Sequence, residues 1–348
     1  MSNNSFNVFT AFSGYDSQCM ALDRLSSLIE GFSYNLVGWS EIEPTAILAH
    51  NAVYPQYSER NYGDISKIDW SKVPDFDLFT YSFPCTDISG AGKQKGLEKG
   101  SGTRSSLLWC CEEAIVAKRP KYLLLENVKA LTSGKFKGDF DVWLSILRKL
   151  GYSNYVKVLN AQDYGVPQSR ERVFVVSVFD DRYFEFPKPF YMNYNLLDVL
   201  EDSSSLKGKY DLNMTNISKY LADLDQKYNF NDVLTSGTPK IVNLTSKGTF
   251  KTILAGYFKY GGATLLSGHY GTTENAVIYP TNGAIHIRKL TPTECFRLMG
   301  VTDDNIQRML STNISKSMLY KLAGNSIVID VMVEIFKCLF NNRSIQII

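Results

Sequence analysis

The chain has 348 residues, 44% of them hydrophobic and 13% aromatic, with a net charge of +2. That length suits one large domain plus a smaller one, and the apolar content excludes an intrinsically disordered chain. The small charge surplus excludes a uniformly basic surface, so any nucleic-acid-binding face must be local.

The cysteines are Cys19, Cys85, Cys110, Cys111, Cys295 and Cys338, with no CxxC pair and only three histidines in the chain. This spacing argues against a metal site and against a disulfide framework, and free thiols suit a reducing cytoplasm. The first residues, Met1-Ser2-Asn3-Asn4-Ser5-Phe6, lack a basic segment followed by an apolar one, and no apolar run reaches membrane-spanning length. The expectation is a soluble, cytoplasmic protein without a membrane partner.

In chain order, apolar runs at Val8–Phe12, Leu36–Trp39, Leu78–Tyr81, Tyr122–Leu125 and Val173–Val178 predict buried strands. Between them, Gln18–Ile29, Pro44–Val53, Ser105–Ala117 and Asp139–Leu150 carry helical periodicity. This alternation predicts an α/β fold with a mostly parallel sheet covered by helices on both faces, which binds ligands beyond the strands' carboxyl ends. After about Asp181 the rhythm breaks. Tyr, Asn, Ser, Thr and Gly dominate to about Ile287, with short strand-like pieces and turn signals, which predicts a smaller separate domain. Helical patterns return at Thr291–Met299, Ser315–Lys321 and Ile327–Phe340. The domains expected are 1–183 plus 313–348, with 184–312 as the smaller unit.

The polar motifs fall where such a sheet presents its ligand-binding edge. Ser82-Phe83-Pro84-Cys85-Thr86 directly follows a strand, so the sulfur of Cys85 can face a cleft as a soft nucleophile, although a lone cysteine is more often a buried structural thiol. Tyr122-Leu123-Leu124-Leu125 runs into Glu126-Asn127-Val128, and a glutamate emerging from an apolar strand has its pKa raised by burial, as suits an acid facing a ring nitrogen. Gln168-Ser169-Arg170-Glu171-Arg172 enters the strand at Val173, and arginines two apart on extended backbone point to one side. Phe12-Ser13-Gly14-Tyr15-Asp16 joins the first strand to a helix, as a nucleotide-binding turn does, although one glycine is a weak signal.

Together Phe83-Pro84-Cys85, Glu126-Asn127-Val128 and Gln168-x-Arg170-x-Arg172 resemble the signature motifs of cytosine-5 DNA methyltransferases of bacterial and phage type, in the family's order and spacing. Ser89-Gly90-Ala91-Gly92-Lys93-Gln94-Lys95-Gly96 is similar to the family's mobile catalytic loop, the run Arg288–Gly300 to its penultimate motif, and Gly324-Asn325-Ser326 to its last. The resemblance spans nearly the whole chain except about 184–285. It implies a Rossmann-like, S-adenosylmethionine-dependent fold with a smaller target-recognition domain, and transfer of a methyl group to carbon 5 of a cytosine flipped out of duplex DNA.

In that chemistry Cys85 adds to carbon 6, Glu126 holds the N3 edge, Arg172 contacts O2, and Arg170 lines the same pocket. The cofactor would meet Phe12, Gly14, Glu41, Ile42, Asp64, Ile65, Leu107 and Asn325, with Glu41 on the ribose hydroxyls. Ser89, Lys93, Gln94 and Thr252 would meet DNA, the pair Thr252-Ile253 corresponding to a Thr-Leu type dipeptide. Tyr15 and Asp16 depart from the family's small residues, and Thr86 stands where glutamine usually follows the cysteine. Monomeric action, a restriction-modification or phage modification role and a cognate restriction endonuclease as partner also follow from the resemblance. Relatives of this fold methylate transfer RNA, and a non-catalytic DNA-binding relative is a further alternative. The large region at 184–285 favours DNA, and intact Cys85, Glu126 and Arg172 favour an enzyme.

Overall fold

In a computed structural model, the described residues are 4–85, 88, 98–179, 183–192, 194–259 and 274–340. A six-stranded sheet is built from β1 (Asn4–Ala11), β2 (Phe32–Ser40), β3 (Leu78–Tyr81), β4 (Tyr122–Val128), β5 (Ser153–Asn160) and β7 (Glu171–Val178), in the order β2-β1-β3-β4-β7-β5. Strands β1 to β4 are mutually parallel, whereas β7 runs antiparallel to both β4 and β5. The chain leaves β1 first toward β2 and later toward β3, so the topological switch point lies between β1 and β3.

Both faces of this sheet are covered, which is why its central strands β3 and β4 read as apolar runs. Along β4, Tyr122 and Leu124 enter one core while Leu123 and Leu125 enter the other. The first core takes helices α1 (Ser17–Leu28), α2 (Pro44–Val53) and the C-terminal helix α10 (Ile329–Phe340). The second takes α3 (Cys110–Lys118) and α4 (Lys137–Lys149), with Trp143 fully buried. Among the described residues no helix is long and apolar enough to cross a membrane.

The region 184–312 holds more helix than the sequence reading predicts. The stretch expected to hold only strand-like pieces contains helices α5 (Met214–Tyr228) and α6 (Phe230–Ser236) beside a three-stranded antiparallel sheet of β8 (Lys240–Val242), β10 (Ala276–Thr281) and β11 (Ala284–Lys289). Ile217 and Leu224 of α5 are buried on one helical face and Asn213 caps its first turn, but the many Asn, Ser and Tyr residues obscure that period. Helix α7 (Pro292–Arg297) falls within the predicted helical pattern Thr291–Met299, whereas helix α8 (Asp303–Leu310) is marked by no predicted pattern; Phe296 of α7 meets Tyr15 edge to face at 5.5 Å, and α8 lies against α2. Thr291 and Glu294 form a capping box at α7, and Glu294 is buried in an ion pair with Arg288 at 2.7 Å. Helix α9 (Lys316–Asn325) then leads into α10.

Candidate active site

One edge of the sheet gathers Cys85, Glu126, Arg172 and the turn after β1, and strand direction explains how. The carboxyl ends of β1, β2, β3 and β4 lie there because these strands are parallel. Strand β7 is antiparallel, so its amino-terminal end reaches the same edge, with Arg172 paired to Val128. A motif at the start of a strand thereby meets motifs at the ends of others.

The segment Phe83-Pro84-Cys85 leaves β3 and is held on two sides. Asn127 Nδ2 donates to the Phe83 carbonyl at 3.0 Å, and Ser105 Oγ donates to the Pro84 carbonyl at 2.7 Å. Asn127 is itself fixed because its Oδ1 accepts from Val128 N at 2.8 Å. The strand carrying Glu126 therefore also sets the position of Cys85. Asn127→Ala is expected to lower kcat by about 100-fold through displacement of the sulfur, with cofactor affinity nearly unchanged. Steady-state kinetics alongside titration with S-adenosylhomocysteine checks this, and an unchanged kcat would refute the tether.

Glu126 is 7% exposed, and Arg172 Nε lies 3.3 Å from its Oε1. Burial raises the carboxyl pKa above its ordinary value, and the pull of Arg172, Arg170 and Ser82 only partly offsets it. The Cys85 thiol is half-buried. Its pKa is also raised, first by burial and then by Glu126, while Arg172 and Arg170 act the other way. Burial thus shifts both groups toward their protonated forms, and the two arginines oppose it.

Arg170 lies deeper than Arg172 beside the same cluster. It is 3% exposed, and its fork donates to three backbone carbonyls: Ile253 O at 2.9 Å, Gly324 O at 2.9 Å and Ser326 O at 2.8 Å. Spacing alone put both arginines on one side. The bond from Arg170 N to Asn160 Oδ1, in the gap between β6 (Gln168–Ser169) and β7, instead sends that side chain into the interior.

Beside this cluster lies the turn after β1. Phe12 and Gly14 both have positive φ, and a Cβ on Gly14 would meet nothing within 4 Å, so the turn borders open space. Gly14 N donates to Glu41 Oε2 at 3.0 Å, while Glu41 Oε1 accepts from Ile42 N and Glu43 N at 2.8 and 2.9 Å. Glu41 Oε2 keeps acceptor capacity for hydroxyl groups. Ile42 is 58% exposed next to it, Phe12 and Leu107 are half-buried, and Asn325 is exposed. A carboxylate acceptor flanked by apolar faces fits the nucleoside of S-adenosylmethionine. Asp64 Oδ1 accepts from Ser66 N and Ser66 Oγ, which lowers its pKa, and Ile65 is buried.

The two unusual turn residues point away from this space. Tyr15 is 2% exposed against Phe296, and Asp16 is fully buried. Asp16 caps α1 through Cys19 N at 3.1 Å, accepts from Thr10 Oγ1 at 2.9 Å and faces His50 Nε2 at 3.4 Å. His50, which the sequence reading overlooked, stacks on Trp39 at 3.7 Å. Glycine would suit the positive φ of Asp16 better, but it would leave Thr10 Oγ1 and Cys19 N without this acceptor.

Thr252 Oγ1 donates to Ser169 O at 2.6 Å, where β9 (Phe250–Lys251) pairs with β6. Thr86, Ser89, Lys93 and Gln94 lie outside the described residues. Lys99 is exposed and pairs with Glu112 at 2.6 Å.

The family model for C-5 cytosine-specific DNA methylases matches residues 6–341. The chain is similar to type II methyltransferase M2.ScrFI of Lactococcus lactis subsp. cremoris, at 35% identity over 97% of this chain and 99% of that protein. It is also similar to type II methyltransferase M.HhaI of Haemophilus parahaemolyticus, at 34% identity over 79% of each chain. The fold matches the methyltransferase EhMeth of Entamoeba histolytica with a TM-score of 0.71 at 16% identity, covering 97% of this chain and 99% of that one. The chain therefore belongs to the C-5 cytosine-specific DNA methylase family, whose members transfer a methyl group from S-adenosylmethionine to carbon 5 of cytosine in DNA.

Proposed function

We propose that this enzyme methylates cytosine within one short duplex sequence, as the modification arm of a restriction-modification system or in a phage modification role. The type II methyltransferases among its relatives support that role. On this reading it acts as a monomer in the cytoplasm of a bacterial or phage-infected cell, with a cognate restriction endonuclease as its counterpart. The observation that carries the catalytic assignment is the meeting of Cys85, Glu126 and Arg172 at the sheet edge that also bears Gly14 and Glu41.

The roles follow from the chemistry of these side chains. A cytosine stacked in a duplex is blocked above and below, so the base must swing out at a cost of a few kcal/mol, about what unstacking requires. Protonated Glu126 then hydrogen-bonds N3 and draws electron density from the ring, which makes carbon 6 electrophilic. Arg172 faces O2 and neutralises charge that develops there. The Cys85 thiol gives its proton to solvent, and its sulfur bonds to carbon 6 as the carbon 5–carbon 6 double bond opens, leaving carbon 5 electron-rich. Bound S-adenosylmethionine supplies an electrophilic methyl group to that carbon. Loss of the carbon-5 proton and departure of Cys85 as thiolate restore the aromatic ring. Glu41, Ile42, Asp64, Ile65, Leu107, Phe12, Gly14 and Asn325 would hold the cofactor. Ser89, Lys93, Gln94 and Thr252 would contact DNA, with the region 184–285 selecting the sequence.

The test is transfer from labelled S-adenosylmethionine to unmodified genomic DNA and to total transfer RNA, followed by base-resolution mapping. Methylcytosine at one short DNA motif is expected. Label in transfer RNA alone would overturn the proposed substrate.

A further inference from the structure

Arg170 is a buried cation whose Nη1 and Nη2 donate to backbone carbonyls while its Nε has no hydrogen-bond partner, and among the described residues no carboxylate forms an ion pair with it. Its guanidinium pKa is lowered to about 9, chiefly by burial and secondly by Arg172, so it still carries its charge at neutral pH. Burying such a charge costs free energy that the carbonyls on Nη1 and Nη2 offset.

The carbonyls it holds belong to two places. Gly324 and Ser326 flank Asn325, the residue at the cofactor pocket, and Ile253 follows Thr252, the residue assigned to DNA. Other contacts tighten the same junction. Gln168 Oε1 accepts from Ile253 N at 3.0 Å, and Gln168 Nε2 donates to Leu298 O at 2.6 Å. A Cβ on Gly324 would lie 2.2 Å from Ala255 N and 2.4 Å from Leu254 C, so the two backbones touch directly. The segment 252–255 and the segment 324–326 are thus held by one rigid planar fork.

We propose that Arg170 is a positioning residue that couples the cofactor pocket to the DNA-recognition segment. Order imposed on Asn325 by bound cofactor passes through the fork to Ile253 and Thr252, and order imposed there by DNA passes back. Such coupling is reciprocal: each ligand tightens the other by the same factor. The inference rests on the assignment of Asn325 and Thr252 given above.

Arg170→Lys keeps the charge but loses the fork that spans two segments. Binding of S-adenosylhomocysteine is measured by calorimetry with and without a duplex carrying the mapped methylation site, and binding of that duplex with and without S-adenosylhomocysteine. The wild type is expected to show mutual tightening of roughly 10-fold, within the usual range of coupling between sites. In Arg170→Lys the coupling factor should fall toward one, while the affinity for each ligand alone changes by less than about 3-fold, a much smaller shift than the coupling itself. Gln168→Met, which loosens the same junction without touching the charge, should lower the factor in the same direction, and it serves if the lysine variant does not fold. Absence of coupling in the wild type, or full coupling in both variants, would overturn the proposal. If neither ligand binds the wild type, the assignment of the sites fails instead. If Arg170→Lys loses only kcat and keeps the coupling, Arg170 acts on the base and not between the sites.

Discussion

Cys85→Ala is expected to lower methyl transfer by roughly 10⁴-fold or more, the scale seen when a covalent nucleophile is removed. The loss should fall on kcat, because the groups assigned to the cofactor, Glu41 and Gly14 among them, form their own hydrogen-bonded unit apart from the sulfur. Affinity for S-adenosylhomocysteine should stay within about 3-fold, well under the tenfold that 1.4 kcal/mol represents. A duplex with 5-fluorocytosine at the target position gives the direct readout: fluorine blocks proton loss from carbon 5, so the sulfur cannot leave and the adduct persists. Digestion and mass mapping should place that adduct on Cys85. Cys110 is the accessible competitor, since it too is half-buried, and burial followed by Glu113 and Asp64 raises its thiol pKa. Cys111 is fully buried at the start of α3. An adduct on either, or turnover by the alanine variant, would remove Cys85 from the mechanism.

The central strands and their motifs were legible because burial on both faces writes itself as long apolar runs, and Leu78–Tyr81 appears in the fold with its predicted bounds. Strand β5 was not legible. It forms the sheet edge, and Ser153, Asn154, Lys157 and Asn160 leave it without an apolar run. Nor does a strand's sequence encode its direction, so nothing in Val173–Val178 revealed that β7 is antiparallel, although this brings Arg172 to Glu126. The chemistry-bearing types Cys85 and Glu126 could be read from their place after strands. Arg170 could not, because its partners are carbonyls of segments 83 to 156 residues away, and a carbonyl has no sequence signature. The same holds for His50, whose link to Asp16 arises only when α2 packs beside the turn.

Glu126→Gln should separate activity from stability in opposite directions. Glutamine keeps the shape and offers an amide hydrogen to N3 but has no proton to transfer, so turnover is expected to fall by about 10²–10⁴-fold, the range for loss of a general acid. Stability should move the other way. Burial raises the Glu126 carboxyl above its ordinary value of 4.5 despite the nearby arginines, so the folded state holds that proton more tightly than the unfolded chain does. For a group shifted upward, stability is greatest at low pH and declines as pH rises from about 4.5 to the raised folded pKa, beyond which the penalty of the buried charge is fully present. The glutamine variant carries no such charge and lacks this decline. At about pH 8 it should therefore unfold at a higher denaturant concentration than the wild type, and near about pH 4 the two curves should converge. Its kcat/KM should also lose the alkaline fall that the wild type shows once Glu126 ionises. A variant less stable than wild type at about pH 8 would mean that the carboxylate is held chiefly by Arg172 as an ion pair and not as the neutral acid the reaction requires.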